Sequence, residues 1–148
     1  MTQQMETFKS FYNNGQPERV GELVNKQKQG LWTHYYENGL KRLEITFKDD
    51  KYDGAWREWH EDGQIAEEGE YKNGEYIVLN FWTEDGKQTL KDGTGMIIRK
   101  FGTTQGDVYK QYFDKGTFTG ERKIASVKYG KFIPHNKSDN GCQQMYLQ

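Results

Sequence analysis

The chain has one cysteine, Cys142, in 148 residues, so no internal disulfide can form. It has only two prolines. No stretch approaches the ~18 apolar residues needed for a membrane-spanning helix. The opening MTQQMETFKSFYNNG lacks the apolar core of a signal peptide, so the expected location is the cytoplasm. Hydrophobic residues make up 33%, too few to fill a thick two-layer core readily. What is abundant points the other way. Aromatics reach 15%, which argues against disorder, and 17 glycines beside so few prolines suit many tight turns between short strands.

Internal periodicity dominates the sequence. WTHYYENG (Trp32–Gly39) is followed by WREWHEDG (Trp56–Gly63) and LNFWTEDG (Leu79–Gly86). The turn glycines Gly15, Gly39, Gly63 and Gly86 are spaced 24, 24 and 23. Four residues before each stand Phe11, Tyr35, Trp59 and Trp82, and seven before stand Phe8, Trp32, Trp56 and Leu79. Between these lie FKDDKYDG (Phe47–Gly54), YKNGEYIV (Tyr71–Val78), FDKGTFTG (Phe113–Gly120) and the weaker LVNKQKQG (Leu23–Gly30). Each repeat therefore holds two turns half a period apart.

About 23 residues with two turns leave six or seven per arm, enough for a strand of about 20 Å and too short for a stable helix. Leu43, Ile45 and Phe47 alternate with Arg42, Glu44 and Thr46, the period of a strand. Asn38-Gly39, Asp62-Gly63, Asn73-Gly74 and Asp85-Gly86 signal hairpin turns with positive φ. The predicted fold is all-β: an elongated single-layer antiparallel sheet of stacked β-hairpin repeats, with each ring beside its copy in the next unit. One domain is expected over 1–148, with clear repeats at 8–95, degenerate repeats at 96–132 and an irregular tail at 133–148. In the degenerate part, Met96–Phe101 and Asp107–Phe113 read as strands, Gly102–Gly106 as a loop and Gly120–Phe132 as one final arm.

The net charge of −1 conceals an asymmetry: residues 1–43 sum to +2, 44–92 to −8 and 93–148 to +5. The acidic block is either a solvated sheet face or a surface that meets a basic partner. It opposes nucleic-acid binding over the middle repeats. His34, His60 and His135 show no metal-ligand spacing, and Cys142 lies beside no evident base. No glycine loop leads into a helix to cradle phosphate. No catalytic residue, metal or cofactor is expected. The carboxylates are plentiful, but a thin sheet offers no deep cleft to hold an acid–base pair.

The run from Gly30 to Gly74, GLWTHYYENGLKRLEITFKDDKYDGAWREWHEDGQIAEEGEYKNG, resembles the MORN-variant repeat of bacterial proteins, a repeat associated with antitoxins. The resemblance implies an immunity protein that binds and neutralises a cognate toxin in the cytoplasm. A basic nuclease-type toxin would complement the acidic block. The expected contacts are Asp49, Asp50, Asp53, Glu58, Glu61, Asp62, Glu67 and Glu68, with Tyr36 and His60 as exposed aromatic anchors. A free monomer is expected. The competing expectations are a MORN-type scaffold or membrane-lipid-binding module, and a structural protein that self-assembles through its sheet edges.

Overall fold

The computed structural model describes residues 2–101, 106–128 and 131–134. The chain is all-β, with twelve strands: β1 (Met5–Phe11), β2 (Pro17–Val24), β3 (Gln27–Tyr35), β4 (Lys41–Lys48), β5 (Lys51–Trp59), β6 (Ile65–Lys72), β7 (Glu75–Trp82), β8 (Gln88–Lys91), β9 (Thr94–Phe101), β10 (Gly106–Asp114), β11 (Thr117–Lys128) and β12 (Lys131–Pro134). They follow one another across the sheet in sequence order, antiparallel throughout. Contacts divide the chain into two compact units, Met1–Val78 and Leu79–Gln148. The expected single arm Gly120–Phe132 is instead two strands, since Ala125 pairs with Pro134 and Val127 with Phe132. Ile133 and Pro134, expected in the tail 133–148, belong to β12, and Gly106, expected in the loop Gly102–Gly106, begins β10; residues 135–148 and 102–105 lie outside the described residues.

Two kinds of turn alternate. At the short turns two consecutive residues have positive φ: Asn25-Lys26, Asp49-Asp50, Asn73-Gly74, Asp92-Gly93 and Lys115-Gly116. That is the two-residue hairpin whose twist matches the strands it joins. The long turns are built differently. Tyr36 N–H donates to the Leu40 carbonyl at 2.8 Å and Gly39 N–H to the Tyr36 carbonyl at 3.0 Å, and the same pair of bonds recurs at Tyr12/Gln16, His60/Gln64 and Thr83/Lys87. Here only the glycine has positive φ, as in Gly39 at 88°. Asn38-Gly39, Asp62-Gly63 and Asp85-Gly86 are thus not two-residue turns. Each lies in a longer loop closed by a bulge, and the register slips beside it, at His34/Tyr35, Glu58/Trp59 and Phe81/Trp82.

In the first unit one sheet face carries the rings. Phe8 stacks on Trp32 with centroids 5.4 Å apart, as expected of repeat copies. Trp32 and Trp56, however, are bridged rather than in contact. The path runs through Phe47, 6.0 Å from Trp32, then Tyr52, which is 5.2 Å from Phe47 and 5.8 Å from Trp56. Tyr71 and Tyr76 continue the row at 5.7 and 5.8 Å from Trp56. Lys28 Nζ lies 5.1 Å over the Trp32 ring and 5.0 Å over Phe47. Such ring pairs contribute about 0.5–1.5 kcal/mol each beyond the area they bury.

Trp32 is 1% exposed because it lies flat on Gly21 of the neighbouring strand. A Cβ at Gly21 would sit 2.0 Å from Trp32 Cδ2. In this pose the indole N–H donates to the Glu22 carbonyl at 3.1 Å. One repeat later the residue in Gly21's place is Ile45, directly opposite Trp56. Its side chain fills the space that glycine leaves open, so Trp56 does not seat in the same way, and its Nε1 is buried without a hydrogen-bond partner.

The second unit packs aliphatic side chains instead. Ile98, Val108, Ile124, Ala125 and Val127 form its core cluster, with Met96 against it. Ile124 and Ala125, both 0% exposed, fall where the β10–β11 register slips between Val108 and Tyr109. A bulge of this kind brings two consecutive residues toward one side.

Three substitutions test this packing. Gly21→Ala forces Trp32 out of its seat and costs about 1–3 kcal/mol in urea unfolding, with a changed tryptophan emission. Trp32→Phe loses a satisfied hydrogen bond while Trp56→Phe removes an orphaned donor, so the first is expected to be less stable than the second by at least about 1 kcal/mol.

Candidate functional site

The ten residues expected at a partner surface are not brought to one place. They fall into four groups. Asp49, Asp50 and Asp53 lie at the short-turn side of the sheet, where Asp49 and Asp53 line a shallow depression with Lys48, Lys51, Tyr52 and Asn73. Asp50 Oδ1 accepts the Lys28 N–H at 2.7 Å, Asp50 N–H donates to the Lys28 carbonyl at 3.0 Å, and Asp49 Oδ1 accepts from Gln29 Nε2. These two acids therefore fasten one turn to the previous hairpin, and lysines flank them. Asp53 is exposed.

Glu68 stands on the face opposite the rings and pairs with Arg57 at 3.1 Å across β5 and β6. Glu58 and Glu67 face each other on the aromatic side. Glu67 is only 3% exposed and accepts the Tyr76 hydroxyl at 2.5 Å, so it is an internal residue and not the surface contact expected of it. Burying a carboxylate is tolerable only with such hydrogen bonds.

Tyr36, His60, Glu61 and Asp62 belong to the long turns. His60 is 7% exposed, which corrects its reading as an exposed anchor. It stands where Tyr12 and Tyr36 stand in earlier repeats, and those two show why the position is covered. Tyr12 Oη donates to the Tyr35 carbonyl and Tyr36 Oη to the Trp59 carbonyl, both at 2.6 Å and both 23 residues on. Burial holds the Tyr36 phenol above its ordinary pKa. Beside them Asn14 Nδ2 donates to the Glu37 carbonyl at 2.9 Å and Asn38 Nδ2 to the Glu61 carbonyl at 3.0 Å. Each asparagine also accepts, through Oδ1, an N–H two residues on: Gln16 for Asn14 and Leu40 for Asn38, both at 2.9 Å. Asp62 keeps that acceptor role toward Gln64 at 2.9 Å but has no amide with which to donate.

This arrangement leaves Glu37 and Glu61 distinctive. Their backbone carbonyls are fixed by the preceding turn, while their side chains are exposed and make no ion pair among the described residues. Glu37 was not singled out by the sequence, although it holds the same repeat position as Glu61. Leu40, 44% exposed, lies in the same turn as Glu37. Strand spacing puts successive long turns roughly 10 Å apart.

The aromatic face also holds an open depression of about 340 Å³ lined by Tyr36, Arg42, Leu43, Trp56, Glu58 and Trp59. Its walls combine rings with opposite charges but converge no nucleophile and base. Among the described residues no group of three or more His, Cys, Asp or Glu is arranged to hold a metal ion. His135 and Cys142 lie outside the described residues.

His34 shares this face, with Arg42 Nη2 donating to its Nδ1 at 3.4 Å. Burial lowers its pKa below 6.5, and Arg42, Arg19 and Lys28 lower it further against a smaller opposing effect of Glu18. The unfolded chain thus takes up a proton that the folded chain resists. Stability is expected to fall as pH drops from about 6.5 toward the lowered value and to be level above it. His34→Gln removes this step from the pH dependence of the urea midpoint.

Two tandem segments of the chain match the MORN repeat variant, residues 28–49 and 52–73. Each match spans one hairpin with a long turn at its tip, β3–β4 in the first and β5–β6 in the second. No curated protein and no solved structure matches the chain. The chain thus carries a repeat suited to a scaffold or binding module, built as β-hairpins that repeat every 24 residues in this stretch.

Proposed function

We propose that this protein is a non-enzymatic immunity protein, or antitoxin, that binds and neutralises a cognate toxin in the cytoplasm by direct contact. The observation that supports this most is the long-turn side of the first unit. Glu37 and Glu61 stand there at equal repeat positions on backbone held by Asn14 and Asn38, with exposed carboxylates that pair with no cation among the described residues. Rigid presentation lowers the entropy lost on binding. Fixed, unneutralised acids favour a basic partner surface, which speeds capture by long-range attraction. Exposed Leu40 offers apolar contact beside them. Nuclease toxins, whose active sites must attract phosphate, have surfaces of this sign.

The contact set is narrower than charge alone suggests. Glu61 remains in it, Glu37 joins it, and Asp53 is peripheral, while Asp62 spends its carboxylate on the Gln64 N–H. Asp49, Asp50, Glu67 and Glu68 are engaged inside the protein.

The test is co-purification from the native host followed by kinetics on the captured partner. A stoichiometric, basic protein partner is expected. Glu37→Lys combined with Glu61→Lys should slow its association by about tenfold or more at low salt and flatten the salt dependence. Unfolding of the variant should be unchanged, because the ladder uses only backbone carbonyls at these positions. An association rate indifferent to both substitutions and salt rejects the contact. Binding to anionic vesicles in place of a protein would favour a lipid-binding module.

A further inference from the structure

We propose that β1 is a dimerisation edge, at which a second copy of this chain adds its own β1 antiparallel. Among the described residues β1 pairs with β2 alone. The direction of its free backbone groups follows from its two ends. The Gln4 carbonyl accepts the Asn25 N–H at 2.8 Å and the Tyr12 N–H donates to the Gln16 carbonyl at 2.8 Å, so both residues point into the hairpin. Backbone groups alternate along a strand. Glu6, Phe8 and Ser10 therefore also point inward, and Met5, Thr7, Lys9 and Phe11 present their N–H and carbonyl groups away from β2.

These same residues carry unusual apolar exposure. Met5 is 69% exposed and Phe11 56%, and Lys9 Nζ lies 5.7 Å over the Phe11 ring, which puts 9 and 11 on one face. Edges are commonly protected by charges or proline, and of these four residues only Lys9 is charged, its ammonium lying over the Phe11 ring. The strand is also self-complementary. A two-fold axis through a sheet must run perpendicular to it, so that each residue opposes one on the same face. With the axis at Phe8, Met5 opposes Phe11 of the partner subunit and Thr7 opposes Lys9 of the partner subunit. All four pairs are then of the kind that exchange two backbone bonds, about eight bonds in total.

Phe8 in this register opposes Phe8 of the partner subunit as a non-hydrogen-bonded pair, with Cα atoms about 4.5 Å apart. Because Phe8 already stacks on Trp32, the aromatic row of one copy continues into the other. Like charges do not meet, since Glu6 opposes Ser10 of the partner subunit. An axis shifted to Thr7 would set Met5 against Lys9 of the partner subunit and leave Phe11 uncovered. The matched exposed pair favours a second copy over an unrelated strand, and it replaces the expectation of a free monomer. The interface is small, so the dimer is expected to dissociate on dilution.

Sedimentation velocity of the full chain over a dilution series tests this. Wild type should move from monomer to dimer with rising concentration. Met5→Lys with Phe11→Lys sets two cations opposite each other and should weaken the dimer about tenfold or more. Met5→Glu with Phe11→Lys sets opposite charges across the same pair and should restore it. Both positions are exposed, and an unchanged circular dichroism spectrum verifies the fold. A wild-type monomer at every concentration overturns the proposal. So does a dimer untouched by the paired lysines, or one that the opposite charges fail to restore.

Discussion

The hydrogen bonds between turns one repeat apart hold the first unit's geometry together. A lone hairpin is marginal in water, and its register can slip wherever its faces are alike. Here the first two long turns are each fastened to the next by a tyrosine hydroxyl and an asparagine amide, both aimed at backbone carbonyls. Carbonyl targets make the ladder indifferent to the side chain that bears them. Position 37 and position 61 can then be glutamate, or anything else, without loss of the joint. The donor, in contrast, is chemically strict. Asp62 forms the same turn as Asn38 because the turn needs only an acceptor, but a carboxylate has no amide to supply the donor that Asn38 supplies.

The opposite side of the sheet solves the same problem with backbone and carboxylates. Asp50 exchanges two bonds with Lys28, and Lys115 N–H donates to Thr94 Oγ1 at 3.0 Å while Gly116 N–H donates to the Gly93 carbonyl at 3.0 Å. Between the two rows of turns the rings fill the first unit's face. Their fit depends on what stands across the strand. Gly21 lets Trp32 lie flat and satisfy its indole, whereas Ile45 denies Trp56 that seat. Near-identical repeats are thus not equivalent. A single glycine-to-isoleucine difference leaves one tryptophan satisfied and another with a buried donor, a local cost of about 1–3 kcal/mol that the surrounding ring contacts must offset.

The strands, their alternation and the two turns per repeat were legible because aromatics, glycines and Asn/Asp recur at fixed spacing. The turn types were less so. Asn38-Gly39 and Asn73-Gly74 look alike as dipeptides, yet one sits in a bulged loop and the other is a two-residue turn. The difference lies in the number of residues between paired strand positions, which a dipeptide does not contain. Aromatic spacing likewise located the rings but not their neighbours. Phe8 reaches its copy Trp32, but between Trp32 on β3 and Trp56 on β5 the rings of Phe47 and Tyr52 take up the contact.

The proposed partner surface was the least legible part, because a charge total carries no direction. The −8 over residues 44–92 divides between two turn rows and two sheet faces. Where a lysine is directly opposite or next in sequence, as around Asp49 and Asp50, the acids cancel locally and act as turn fasteners. Where a carboxylate lies opposite another under an aromatic layer, as with Glu58 and Glu67, it is drawn inward by a hydroxyl. What remains for long-range attraction is the set whose backbone, not side chain, holds the structure. That criterion selects Glu37 and Glu61, one of which lies outside the acidic block altogether. On the proposed reading, attraction of a basic partner is decided by which carboxylates the fold leaves idle, more than by how many it contains.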